Sequence, residues 1–276
     1  MLVEHRLIPV LNSLQQVDDW GRLARRLERP LDAILQVDTG MSRLGLPPEE
    51  VNQLAEDPGR LAGITLRYLM SHLACADDPD DPTSERQLRA FLEARAALPA
   101  APATLANSPG VFRGPDFHFD LVRPGVSLYG VAPIPSRANP MRPVVRLQGR
   151  VIQERWLEQG DGVGYSMTWR APAPRRIATV AVGYADGFPW SLGNRARPHL
   201  GEVDLPVVGR VSMDTITLDV TALPEGRLQP GSLIDLISQR HPVDALAAEA
   251  GTIGYEILTR LGSRYHRVYL GGPAAY

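Results

Sequence analysis

The chain contains no lysine. All 29 of its basic residues are arginine, and arginine stays protonated at neutral pH, so no side chain can form an imine with a carbonyl compound. A phosphate-binding Gly-Lys loop is excluded for the same reason. Cysteine is almost as scarce. Cys75 is alone, which rules out an intrachain disulfide and points to a reducing compartment. No apolar run approaches the ~20 residues that span a bilayer. The opening "MLVEHRLIPVLN" has no basic stretch followed by a long apolar one, so no signal peptide is visible. A net charge of −2 gives no footing for nucleic acid or an acidic membrane surface. A cytoplasmic location, with no nucleic-acid or membrane partner, is expected. No His or Cys pair has metal-ligand spacing, so no metal is expected. Asp77, Asp78, Asp80 and Asp81 lack the glycine and terminal glutamate of a calcium loop and read as a solvated turn.

What is present alternates. "LIPVLN" is a short apolar run, and Ser13 is placed to cap "SLQQVDDWGRLARRLER", where Val17, Trp20, Leu23 and Leu27 recur at helical spacing. "LDAILQVD" reads as a strand, and Pro47-Pro48-Glu49-Glu50 opens a helix. "ITLRYLMSHLA", the helical "SERQLRAFLEARAAL", the strand "ATLANS" and the strand-like "FDLVRPGVSLYG" complete the series. Strand and helix alternating at this spacing predict parallel βα units in a barrel or doubly wound sheet. Chemistry then belongs at the C-terminal strand ends: Asp38 to Arg43, His72, Asn107-Ser108 and Arg123 to Gly125. From residue 134 the pattern changes to β-branched runs separated by Gly, Pro and Asp, such as "VVRLQGRVIQERWLE", "RRIATVAVGYADG" and "GSLIDLIS". These predict an antiparallel β domain over 134–276 after an α/β domain over 1–133. "PVDALAAEAG" and "TIGYEILTRLG" read as helices and "RYHRVYL" as a last strand.

Singly, each polar candidate has a plain structural reading. His72 on an apolar strand reads as a core histidine, Arg123 as a cap on a carbonyl, Tyr165 as an aromatic strand residue, and Met213-Asp214 as core followed by a strand-end carboxylate. In order along the chain they form a set: "DTGMSRLG", "MSHLACAD", "LANSPG", "FDLVRPGVSLYG", "VGYSMTW", "VAVGYADGF", "VGRVSMD" and "GTIGYEILTRLGSRYHRVY". This set resembles the alanine racemases, enzymes that use pyridoxal 5'-phosphate to interconvert L- and D-alanine. The resemblance implies a TIM-like (β/α)8 barrel, a C-terminal antiparallel β domain and a homodimer with shared active sites. It implies phosphate contacts from Ser108 and Tyr255, helped by the backbone at Asn107, Gly125 and Val126. Arg123 would face the pyridine nitrogen with His72 beside it. Tyr165, from the partner subunit, would act as a base on one face of the substrate α-carbon. Arg43 and the backbone at Met213 would grip the substrate carboxylate, which suits a guanidinium fork.

The sequence departs from that pattern in three places. Gln36 stands where many relatives carry a carboxylated lysine that orients the arginine, so an amide oxygen is expected to accept from Arg43 there. Trp190 stands where an entrance arginine is often found. The family's opening strand with its Schiff-base lysine is not in this chain, so the barrel is expected to be partial, with about three βα units lacking. Either the chain is an N-terminally truncated racemase, inactive alone, or it is a non-catalytic relative that binds a phosphate-bearing ligand or dimerises with a complete racemase.

Overall fold

The structure is a computed structural model and describes residues 1–271. Its contacts fall into two units, Met1–Leu128 with Ala132–Pro140, and the chain from Met141 onward with Tyr129–Val131.

In the first unit, strands β1 (Val10–Leu11), β2 (Leu31–Gln36), β3 (Ile64–Met70) and β4 (Ala103–Thr104) lie parallel and in sequence order. Helices α1 (Leu14–Arg26), α2 (Pro48–Glu56) and α3 (Thr83–Ala97) connect them, and a short α4 (Ser108–Val111) follows β4. Leu35, Leu69, Leu105 and Phe91 are fully buried in the core between sheet and helices. That burial explains why the strands read as near-continuous apolar runs. Ser13 caps α1 in extended conformation, its hydroxyl accepting from the Gln16 amide at 3.3 Å.

The buried stripe of α1 is Leu14, Val17, Gly21 and Ala24, whereas Leu27 is exposed. The sequence periodicity holds at Val17 and at Trp20, which packs partly buried against the core, and fails at Leu27. The helix also meets the turn before β3 through its small residues. A side chain on Gly21 would begin 3.5 Å from the Ala62 carbonyl oxygen. The segment "FDLVRPGVSLYG" is no full strand either. It contributes one parallel bridge, Leu121 to Thr104, and two backbone bonds, Asp120 to Ala103 and Arg123 to Ala106. Pro124 has no amide hydrogen and ends the ladder there.

The second unit holds an antiparallel sheet of β5 (Leu147–Leu157), β8 (Arg175–Val180), β9 (His199–Leu200), β10 (Val203–Asp204), β11 (Ile216–Asp219) and β12 (Leu233–Ile237). Its strand order is β10-β9-β12-β5-β8-β11. A hairpin of β6 (Gly162–Val163) and β7 (Trp169–Arg170) interrupts the series, and α5 (Val243–Ala250) and α6 (Gly254–Arg260) follow it. Residues 264–270, expected as a last strand, form none. Val268, Tyr269 and Leu270 are exposed, and no strand among the described residues pairs with them. Side chains tie this segment down instead. Arg264 pairs with Asp186 and Asp214, and Arg267 donates to the Leu261 and Gly262 carbonyls. No helix among the described residues is long and apolar enough to cross a membrane.

Candidate active site

Arg43 lies on a loop that leaves β2 and returns to it. Asp38 and Leu46 close the loop through backbone bonds, Asp38 N to Leu46 O at 2.9 Å and Leu46 N to Gln36 O at 2.8 Å. One carboxylate oxygen of Asp38 accepts from the amides of Gly40, Met41 and Ser42 at 2.9, 3.0 and 3.1 Å. Ser42 sits at φ 56°. Gly45, at φ 106°, is needed outright, because a Cβ there would fall 2.7 Å from the Asp38 nitrogen. The buried Gln36 amide donates to the Leu44 carbonyl at 3.1 Å, so it secures the backbone of the loop and not the guanidinium. Arg43 itself is exposed, and among the described residues it has no hydrogen-bond or ion-pair partner.

The ends of β3 and β4 meet around Arg123. Its guanidinium donates to Thr104 Oγ1 at 2.6 Å, to the Ser71 carbonyl at 2.7 Å and to the Leu105 carbonyl at 3.2 Å. It also lies 3.3 Å from His72 Nδ1. A guanidinium has only donors, so His72 Nδ1 must accept and the imidazole proton sits on Nε2. Burial, then the charges of Arg123 and Arg43, hold His72 below the usual imidazole range, and it is neutral at pH 7. Burial also pulls Arg123 down to about 10, which leaves it charged. The centre is therefore a fixed cation with a neutral imidazole beside it.

Next to it, Ser108 Oγ accepts from the amides of Gly125 at 2.8 Å and Ser127 at 3.3 Å. With both lone pairs engaged, the remaining capacity of this hydroxyl is its proton, so Ser108 is set up as a donor. Gly125 thus has its amide committed to Ser108. Val126 is buried beside it in a one-turn 3-10 helix. Asn107 caps α4, accepting from the Gly110 amide at 3.0 Å and donating to the Leu73 carbonyl at 3.3 Å.

Two residues that sequence reasoning did not single out join this cluster. Ser127 is 3% exposed, and its hydroxyl has no hydrogen-bond partner among the described residues. Gln87 on α3 is 1% exposed and bonds to the strand-end segments that carry His72 and Thr39. The one hint was spacing, since Gln87 lies four residues before the core Phe91 and shares its helix face.

Tyr165, Met213 and Tyr255 belong to the second unit. Tyr165 projects from the turn between β6 and β7 and is 70% exposed. Met213 follows "VGRVS", a segment stacked backbone to backbone on "VGYADG". The Tyr184 amide donates to Ser212 O at 3.0 Å and the Ala185 amide to Met213 O at 2.9 Å. Gly183 permits this approach, because a Cβ there would lie 2.2 Å from the Met213 oxygen. The Met213 carbonyl is thus engaged, while among the described residues nothing accepts from its amide. Tyr255 stands half-exposed in the first turn of α6. Trp190, also exposed, has the Arg210 guanidinium 5.4 Å above its ring, so a cation is present at that aromatic surface.

Comparison with known proteins matches residues 1–133 to a family model described as alanine racemase, N-terminal domain, and residues 144–269 to one described as alanine racemase, C-terminal domain. An alanine racemase of Rhodospirillum rubrum is 52% identical over 270 residues, covering 98% of this chain and 72% of the relative. A catabolic alanine racemase of Mesorhizobium japonicum is 50% identical, covering 96% and 69%. Among solved structures, the Bartonella henselae alanine racemase with covalently bound pyridoxal phosphate superposes with a TM-score of 0.92. It is 39% identical and covers 98% of this chain and 75% of that one. The Streptomyces coelicolor alanine racemase gives 0.90 at 33% identity, covering 98% and 74%.

Proposed function

The chain belongs to the alanine racemase family, a family of isomerases, and from that premise we propose that it serves the pyridoxal 5'-phosphate-dependent interconversion of L- and D-alanine. The observation that carries this reading is the cluster at the strand ends: a half-buried, charged Arg123 on a neutral His72, with the Ser108 proton free to donate. The group fits these residues. A phosphate needs donors in a place shielded from water, and Ser108 offers one, while the buried and unpartnered Ser127 hydroxyl lies one residue from Val126. In the family's pattern Tyr255 and the backbone at Asn107 and Val126 would be further phosphate contacts. Gly125 contributes indirectly, by orienting Ser108.

When bound, pyridoxal 5'-phosphate supplies an electron-withdrawing ring that eases loss of the α-proton. With the cofactor bound, Arg123 would present a permanent positive charge to the ring nitrogen, which would keep it unprotonated and limit side reactions. His72 accepts from Arg123 through Nδ1 and so fixes the plane of the guanidinium. The exposed Arg43 fork would grip the alanine carboxylate, and the Met213 amide, which bonds to nothing among the described residues, is in the family's pattern a further carboxylate contact. Tyr165, contributed by the second subunit of a homodimer, takes or returns the proton on one face of the α-carbon. The fold on this reading is part of a TIM-like barrel over 1–133 followed by a β domain over 134–276. The location is cytoplasmic, and the product supplies D-alanine for peptidoglycan.

The absence of lysine favours a narrower statement about the 276 residues themselves. They carry one of two bases and no anchor for the cofactor, so they do not racemise alanine unaided. The lysine would come from polypeptide outside these residues. A non-catalytic relative that binds a phosphate-bearing ligand is the second reading, and it rests on the same absence. The two separate in one experiment, in which these residues are joined to a lysine-bearing family segment and D-alanine is assayed with pyridoxal 5'-phosphate present. Turnover supports the racemase; phosphate binding without turnover supports the second reading.

A further inference from the structure

We infer that Gln87 is a positioning residue of this site, its buried amide fastening the Arg43 loop to the segment that carries His72. The inference rests on the reading of Arg43 and His72 as active-site groups and deepens it.

Gln87 lies in the second turn of α3, a helix that otherwise shows charge to solvent and Phe91 to the core. Its oxygen accepts from the Ala74 amide at 2.9 Å. Its NH2 donates to the His72 carbonyl at 3.0 Å and to Thr39 Oγ1 at 3.4 Å. An amide N–H can only donate and a carbonyl can only accept, so Ala74 and His72 together fix which way the side chain faces. Thr39 Oγ1 in turn lies 2.7 Å from Ser71 Oγ, and the Ser71 carbonyl is an acceptor for Arg123. The loop also packs on the side chain, since a Cβ on Gly40 would sit 3.9 Å from Gln87 Cγ.

From one residue, hydrogen bonds therefore reach Thr39, four positions before Arg43, and the backbone on and after His72. No other natural side chain of this size offers one acceptor and two donors in one plane. Glutamate would lack both donors and add a buried charge, and methionine would fill the volume but leave the Ala74 amide and His72 carbonyl unpaired. A residue needed only for packing would not require the amide.

Amide hydrogen exchange on the full chain, with NMR titration of His72, tests this in Gln87→Met. The amides of Gly40, Met41 and Ser42 bond to Asp38 and not to Gln87, so a local loss would leave them unchanged. The inference expects them to exchange about tenfold faster, the size of effect that one lost hydrogen bond produces. The His72 midpoint should move up toward the ordinary value as its segment loosens. Faster exchange at Ala74 alone, with Gly40 to Ser42 and His72 unmoved, would overturn the proposal. If Gln87→Met does not fold, then, measured against a Ser71→Ala control that loses only the Thr39–Ser71 bond, Thr39→Val removes the loop's bond to Gln87 as well. It should accelerate Gly40 to Ser42 while sparing Ala74, and unchanged exchange there overturns the proposal equally. Neither readout uses racemase activity, so a lack of alanine turnover would count against the functional reading alone.

Discussion

Tyr165 occupies a turn in which Gly164, Ser166 and Met167 all take positive φ, at 69°, 59° and 44°. Such a turn tolerates few sequences and presents its one aromatic residue to solvent. The motif "VGYSMTW" made the residue visible in the sequence, whereas the backbone that displays it was not readable, because serine and methionine seldom mark left-handed positions. On the proposed function, Tyr165→Phe in a lysine-bearing protein should slow proton removal in one direction of racemisation by about 10²–10⁴-fold, the usual contribution of a general base. Cofactor binding should persist, since only the phenol is lost. Solvent deuterium incorporation, followed separately from L- and D-alanine, measures this; equal rates in wild type and variant would remove Tyr165 from the chemistry. A second residue bears on stability. Burial alone would lower His241, but the Glu249 carboxylate at 3.2 Å, with the Leu236 carbonyl and Asp204, outweighs it and raises the imidazole above its ordinary value. A raised folded value means that the charged form is favoured by folding. Its stabilisation is complete below the unfolded value of about 6.5 and is lost as pH rises through the folded value. Urea unfolding of wild type should show that decline as pH rises above the unfolded value of about 6.5, and His241→Gln should flatten it.

Among the elements, those resting on local chemistry were legible, and those set by close approach were not. Ser13 and the Pro47-Pro48 pair mark the starts of α1 and α2 because capping and proline geometry are local rules. The buried face of α1 was read in part: Val17 is buried and Trp20 packs against the core, but Leu27 is exposed, and the small residues Gly21 and Ala24 complete the buried stripe. The expected strand over 264–270 had the right composition, but a strand also needs a partner, and composition does not show one. The stacked "VGYADG" and "VGRVSMD" segments show the same gap at higher stakes. Both were quoted as motifs, but their contact depends on Gly183 lying within reach of the Met213 carbonyl. At φ −147°, Gly183 is not strained, so its requirement is purely steric. Gly183→Ala should force the two segments apart and destabilise the protein by about 1–3 kcal/mol, the range for overpacking. Denaturant unfolding should show a lower midpoint with an unchanged slope. If Met213 grips the carboxylate, KM for alanine should rise as well, because its amide moves with its carbonyl.

At the scale of the whole molecule, composition constrains function more tightly than any motif. Each unit has its own sheet and core, and the change from parallel βα units to antiparallel strands was written in the sequence as a change from helical periodicity to β-branched runs. The candidate site residues were read from a family pattern; Ser127 lies within one of its motifs without being singled out, and Gln87 belongs to none of them. Against a candidate site that would be furnished by Arg43, His72, Arg123 and Ser108 stands the lack of any lysine. Mixed with pyridoxal 5'-phosphate, these 276 residues should bind it weakly and reversibly through phosphate contacts, since Ser108 needs no covalent bond to donate. Borohydride should attach no cofactor to any side chain. The Met1 α-amine is the only primary amine of the chain, and it pairs with Glu4 on the exposed surface at 3.6 Å. Alanine racemisation should be undetectable, because a single base can remove the proton from one face but nothing returns it to the other. Supplying a lysine-bearing family segment in trans should restore turnover, and mass spectrometry after borohydride should then find the cofactor on that segment alone. Racemisation by the lysine-free chain, or cofactor fixed to one of its own residues, would show that another group does the work assigned here to lysine.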